Sequence, residues 1–239
     1  GGGLNTRDLV TKIPPEMQTL AFWDFEREGD FTSRDVSKTL ITITSQSPTM
    51  VWSVHNTAGT TAYLLLYQAS NGVVKTSSDL AATSTLLTWT TTQGEMQADV
   101  LNGKVFMVNG ADTPQSWDMA TATTVVATVT AMPVAQWIRM HKNYCFVART
   151  SAEPSAVYFS TLRDPTTWNT TANVIFISKD DGDQITGLFS TQEGLMVFKQ
   201  RSVWMILGDE FDFTINELRN RVVKLNTPPG IGGIGTTAT

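Results

Sequence analysis

Residues 98–110 read ADVLNGKVFMVNG. A short run ending at Leu101 meets Asn102-Gly103, and a strongly apolar run follows. Asn-Gly supplies the positive φ that a two-residue hairpin turn needs, so this stretch predicts two antiparallel strands. The same outline recurs along the chain. TAYLLLYQA (61–69) passes through Ser70-Asn71-Gly72 into VVKTSS (73–78). IRM (138–140) turns at His141-Lys142-Asn143 into YCFVAR (144–149). LFS (188–190) turns at Thr191-Gln192-Glu193-Gly194 into LMVFKQ (195–200). VWSVHNTAGT (51–60) fits the scheme with Gly59 at its turn.

The turns near 59, 102, 142 and 193 are spaced by roughly 40 to 50 residues, the period of a propeller blade. Each unit runs strand, tight turn, very apolar strand, loop, then an amphipathic strand with an aromatic. No long stretch has a helical period. The expected fold is therefore all-β. It is a partial or complete β-propeller of about four to five four-stranded blades, preceded by an extended arm. The arm covers 1–36 and the propeller-like domain 37–239, which continues beyond the given chain if it is a segment of a longer one. Pro14-Pro15 forbids regular helix at that point, and PPEMQTLAFW after it fits one short helix. The final GIGGIGTTAT resembles the innermost strand of a next blade.

Composition narrows the function. The chain has 239 residues, 41% apolar content and a net charge of −5. Such a balance fits a folded body with a sizeable core. It argues against a broad nucleic-acid-binding surface, although a mildly acidic wall lets DNA slide past without sticking. The single cysteine, Cys145, sits between Tyr144 and Phe146 and reads as a core residue. No apolar run reaches the roughly 18 residues of a membrane span.

Chemistry-bearing patterns are sparse. His55 and His141 are the only histidines, and neither belongs to a ligand-spaced pair. Neither a nucleophile elbow nor a phosphate loop occurs. Lys179-Asp180-Asp181-Gly182-Asp183 is the densest acidic run. Asp180, Asp181 and Asp183 form a weak calcium candidate, though the spacing fails the EF-hand loop. Its plainer reading is a polar loop leading into an inner strand.

YFSTLRDPTTWN (158–169) carries the Ser, Asp and Trp of a sialidase Asp-box, but no glycine stands between Asp164 and Trp168. No acid pair is placed for glycoside hydrolysis either. The structural reading is a turn in which Asp164-Pro165 sets the bend and Trp168 seals it between blades. Core packing is likewise the default for Trp52, Trp89, Trp117, Trp137 and Trp204. No catalytic residue and no cofactor are expected.

Several of these stretches together resemble a family. GGGLNTRD (1–8), the double proline and WDFEREGDFTSR (23–34) are similar to the start of bacteriophage tail structural proteins. So are Trp137-Ile138-Arg139 with YCFVAR, then YFSTLRDPTTWN, ISKDDGDQITGLF (177–189) and GLMVFKQRSVWMILG (194–208), in that order. The resemblance is to β-propeller proteins of the tail hub or nozzle of short-tailed phages. It implies a non-enzymatic virion protein, made in the host cytoplasm and built into the tail as a homo-oligomeric ring, often a hexamer, around the DNA channel. Its partners would be other tail, portal or adaptor proteins, with DNA passing but not specifically bound. The opening arm would make contacts to neighbours through Leu4, Asn5, Thr6, Arg7, Phe22, Trp23 and Phe25. The alternative is a receptor- or glycan-binding propeller, and behind it a glycosidase.

Overall fold

The computed structural model describes residues 23–24, 32–33, 48–56, 62–70, 72–77, 84–92, 95–119, 126–208 and 222–225. The chain divides into two compact units, Gly1–Thr42 and Ile43–Thr239. The sequence alone placed this boundary after residue 36. In the first unit the described strands are β1 (Trp23–Asp24) and β2 (Thr32–Ser33), an antiparallel pair. Of the arm residues singled out above, only Trp23 lies among the described ones, in the backbone of β1. The others, and the rest of the expected short helix, lie outside them.

The second unit is all antiparallel β among the described residues, as expected. Its first sheet runs β3 (Met50–His55), β4 (Ala62–Gln68), β5 (Val73–Ser77) and β6 (Ser84–Thr88) in spatial order. The second runs β7 (Gln97–Leu101), β8 (Lys104–Val108), β9 (Gln115–Trp117) and β10 (Ala127–Thr128). The third holds β11 (Ala135–His141), β12 (Tyr144–Thr150), β13 (Ala156–Thr161), β14 (Asp164–Trp168) and β15 (Val174–Phe176), with β15 also paired to β13. The fourth runs β16 (Ile185–Ser190), β17 (Gly194–Lys199), β18 (Val203–Leu207) and β19 (Val222–Lys224). Apart from β15, which pairs with β13 and not with β14, neighbours in sequence are neighbours in space, so each sheet is built as a meander.

The hairpins read from sequence open the second, third and fourth sheets. Asn102 and Gly103 have φ of 52° and 72° and join β7 to β8. Lys142 and Asn143 have φ of 44° and 64° and join β11 to β12. Positive φ at both turn residues matches the turn's twist to that of the strands. Gly72, at φ 67°, serves instead in the second turn of the first sheet, between β4 and β5. The Gly59 turn lies outside the described residues.

The sheets are stacked by three apolar cores. Val54, Tyr63, Leu65 and Tyr67 of the first sheet meet Met96, Val105, Met107 and Trp117 of the second. Phe106 and Val108, on the opposite face of β8, meet Ile138, Cys145 and Val147 of the third. Tyr144, Phe146 and Val157, on the third sheet's other face, meet Ile185, Leu188, Leu195, Val197 and Ile206 of the fourth. Successive strand residues point to opposite faces. The runs KVFMV and YCFVA are therefore apolar throughout because each is buried on both sides. The first strands lie side by side, β7 against β11 and β11 against β16.

Gly194 opens β17 close under β18. A methyl group there would stand 2.5 Å from the Ile206 carbonyl oxygen and 3.1 Å from Met205 Cγ. Backbone cannot yield as a flexible side chain does. Gly194→Ala should destabilise the protein by about 1–3 kcal/mol, read from urea unfolding, and an unchanged midpoint would contradict this packing.

Candidate functional site

The polar groups cluster where one sheet hands over to the next. The richest junction lies between the third and fourth sheets, at the acidic run seen in the sequence. Lys199, at the end of β17, is fully buried. Its Nζ donates to the carbonyls of Ile177 at 2.9 Å and Ser178 at 3.3 Å, and to both carboxylate oxygens of Asp181 at 2.6 and 2.7 Å. A buried ammonium is tolerated only with such a partner set. Burial pushes the Asp181 carboxyl up. The hydrogen bond from Lys199, the backbone N–H of Asp183 and the Lys199 charge outweigh it and hold the group below its ordinary value.

Asp183 turns elsewhere. Its Oδ2 accepts from the Arg201 N–H at 3.1 Å and the Ser202 hydroxyl at 3.3 Å, and its carbonyl accepts from Ser155 Oγ at 3.0 Å. Asp180 is exposed and has a left-handed φ of 70°. The three carboxylates of the calcium candidate are thus not gathered around one point. An ammonium takes the position on Asp181 that a cation would need. Among the described residues no group of three His, Cys, Asp or Glu side chains is placed to hold a metal ion.

Beside this loop is a cleft of about 500 Å³, lined by residues that include Glu153, Ser155, Lys179, Asp183, Gln184 and Gln200. Its charges are partly paired, since Lys179 Nζ lies 3.3 Å from Glu153. None of its described lining residues is aromatic.

The first strands are tied to one another across the sheets. Asp99 on β7 accepts from the Met140 N–H of β11 at 2.8 Å and faces Arg139 at 3.5 Å. His141 Nδ1, at the end of β11, lies 2.8 Å from Ser190 Oγ of β16. His141 is buried; burial and then the Lys142 charge push its imidazole down to about 4. The thiol of Cys145 is pushed well up by burial and by the Asp99 charge, so it is not a ready nucleophile.

The first and second sheets have their own polar knot at Asp112. It accepts from the Thr90 hydroxyl, the Thr91 N–H at 3.0 Å and Asn109 Nδ2 at 2.9 Å. Burial raises this carboxyl, and the hydrogen bonds from Thr90, Asn109 and Thr91 win and lower it.

The stretch 158–169 is architectural, with its bend one step earlier than the sequence suggested. Thr161 pairs with Asp164, so the turn is Leu162-Arg163, with Arg163 at φ 57°. Asp164 and Pro165 instead begin β14, because closing the β13–β14 ladder fixes the turn. The Asp164 carboxylate accepts from the Thr166 N–H at 3.0 Å and from the hydroxyls of Thr166 and Thr167, both at 2.6 Å. The Thr166 and then the Thr167 hydroxyl bonds lower its pKa. Trp168 donates Nε1–H to the Pro165 carbonyl at 2.8 Å and packs against the core between the second and third sheets. Trp117 is fully buried, Trp89 and Trp137 are buried, and Trp52 and Trp204 pack half-buried against core clusters.

Sequence reasoning missed Lys199, Asp99 and Asp112 as organising groups. Their partners lie 18, 41 and 21 residues away, beyond any local motif.

No family model matches the chain, and no curated protein matches it. Solved structures do. One is the crystal structure of the computationally designed Ika4 protein, 11% identical, covering 69% of this chain and 94% of that one, at a TM-score of 0.44.

Two predictions follow from the polar junctions. Removing the carboxylate in Asp181→Ala strands the Lys199 ammonium and should cost about 3 kcal/mol. Lys199→Met leaves only the half-buried carboxylate and should cost less, so equal losses in chemical denaturation would refute the latch. His141 titrates near 6.5 when unfolded and near 4 when folded. The unfolded chain takes up the proton first, so its contribution is complete above about 6.5 and is lost as pH falls toward 4. In His141→Gln that slope of stability against pH should flatten, while the loss from Asp112 and Asp181 below their ordinary value of 3.8 persists.

Proposed function

We propose that this chain is a non-enzymatic structural subunit of a phage tail, a propeller-type building block of a hub or nozzle ring around the DNA channel. The observation that carries the reading is the serial stack. Four antiparallel meanders follow one another, packed through three cores, with the first strands of the second, third and fourth side by side. In the propeller reading each meander is a blade and β7, β11 and β16 are inner strands. Such a stack suits a stiff wall. The carboxylates at its junctions, Asp99, Asp112 and Asp181, are engaged in holding one segment to another. The likeness of the sequence to tail proteins supplies the place in the virion. The net charge of −5 suits DNA passage without retention.

A glycan-binding role gains little from the cleft beside Asp183. Sugar sites commonly offer an aromatic face for the ring to lie on, and among the described residues no aromatic lines this cleft.

Immunogold electron microscopy of phage particles with an antibody against this chain is the direct test. Gold at the tail, together with a blank glycan array, is the expected result. Unlabelled tails from the phage that encodes the chain, or clear glycan affinity of a stable monomer, would overturn the reading.

A further inference from the structure

The acidic run between the third and fourth sheets leaves one oxygen over. Asp183 is 7% exposed, and its Oδ2 accepts from the Arg201 N–H and the Ser202 hydroxyl. Its Oδ1 is buried as well and has no hydrogen-bond partner among the described residues. Buried polar atoms are nearly always hydrogen-bonded, and a carboxylate oxygen left alone is costly. This one belongs to a residue that lines the cleft of about 500 Å³, beside Ser155 and Gln184.

The walls of that cleft are pinned. The Ile185 N–H donates to the Pro154 carbonyl at 3.0 Å, the Ile177 N–H to the Ser155 carbonyl at 2.9 Å, and the Gln200 N–H to the Gln184 carbonyl at 3.3 Å. Ser155 Oγ holds the Asp183 carbonyl, and Lys199 holds the loop through Asp181. Among the described lining residues Glu153, Asp180 and Asp183 carry carboxylates, against the single ammonium of Lys179. The excess of negative charge and the orphan oxygen ask for the same thing, a cation that donates a hydrogen bond.

The geometry narrows which cation. A guanidinium is held best by both oxygens of a carboxylate, and Asp183 Oδ2 is already taken. A quaternary ammonium has no N–H to donate and is commonly held by aromatic faces, which the described lining lacks. No three carboxylates converge for a metal ion among the described residues. A primary ammonium needs one oxygen for each N–H and can spread its three donors over separate acceptors. The same loop already holds one such group, since Lys199 Nζ sits on Asp181 and two carbonyls. The volume is within the range of small-ligand clefts.

We infer that this cleft binds a primary alkylammonium, with Asp183 Oδ1 as its buried acceptor and Glu153 as the second carboxylate. Oδ1 has almost no exposed surface, so the ligand reaches it when an exposed side chain of the cleft rotates aside. Lys179 is that side chain. It is 47% exposed and its Nζ lies 3.3 Å from Glu153, so it is the chain's own ammonium at the site and the incoming one displaces it. The ligand is a free small amine or the lysine side chain of a partner, which offer the same head group. This inference goes beyond the tail reading and does not depend on it.

The test is an amide chemical-shift titration of the isotope-labelled full chain at low salt. Three ligands are compared: butylammonium, butyltrimethylammonium, and a short blocked peptide with one lysine. Butylammonium should give saturable shifts at Ser155, Asp183, Gln184 and Gln200, and the quaternary analogue should give none. Asp183→Asn keeps an oxygen for the Arg201 N–H and the Ser202 hydroxyl but puts an N–H donor in place of Oδ1. It should weaken binding at least about 10-fold. Glu153→Gln, at a partly exposed side chain, should weaken it about 3-fold, and Lys179→Gln should tighten it by a similar factor. Unchanged thermal unfolding of these last two shows that the fold is kept.

Saturation by the peptide as well as the amine would support a partner's lysine, and saturation by the amine alone a free amine. Equal shifts with the quaternary analogue would overturn the inference, because simple attraction to negative charge would then explain them. Blank titrations with both amine and peptide would overturn it too, leaving Oδ1 to a buried water. So would a Lys179→Gln variant that binds more weakly than the wild type. None of these results bears on the immunogold test of the tail reading.

Discussion

Two sheets of this protein are buried on both faces, and that constraint organises everything else. The second sheet sends Val105 and Met107 toward the first and Phe106 and Val108 toward the third. The third sends Cys145 and Val147 one way and Tyr144, Phe146 and Ala148 the other. Burying one such side chain is worth about 1.5–3 kcal/mol, against about 1 kcal/mol net for a typical hydrogen bond. The cores therefore supply the stability. The polar groups between sheets fix how the sheets meet.

That second role is clearest at Lys199. An ammonium with no exposed surface is costly, and its two carbonyl partners and Asp181 offset the cost only in one arrangement. The loop from Ile177 to Asp183 is thereby tied to β17. Asp99 and His141 do similar work along the first strands, on a smaller scale. These residue types would suggest chemistry if they stood in an open site. Here each is engaged with backbone or with a neighbouring strand.

Much of the fold was legible because its signals are local. Asn102-Gly103 and Lys142-Asn143 mark their turns through the φ their own backbones adopt. The period of roughly 40 to 50 residues between turns matches the four meanders. Legibility failed where a local preference met a ladder. Asp-Pro is a good turn starter, yet the pairing of Thr161 with Asp164 moved the bend to Leu162-Arg163. It failed again at the acidic run. Three carboxylates within four positions suggested a cation site, and the cation on Asp181 proved to be a lysine ammonium 18 residues on.

The sequence by itself determined that the chain is β-rich, where its tight turns fall, and which strands are apolar on both faces. Those properties depend on residues a few positions apart, through turn geometry and the two-residue period of a strand. Only the tertiary structure decided which sheet covers which and which acids are tied to the scaffold. Those depend on contacts between residues 18 to 49 positions apart, such as Asp181 with Lys199 and His141 with Ser190. No local pattern encodes such contacts; they follow from the way the sheets pack.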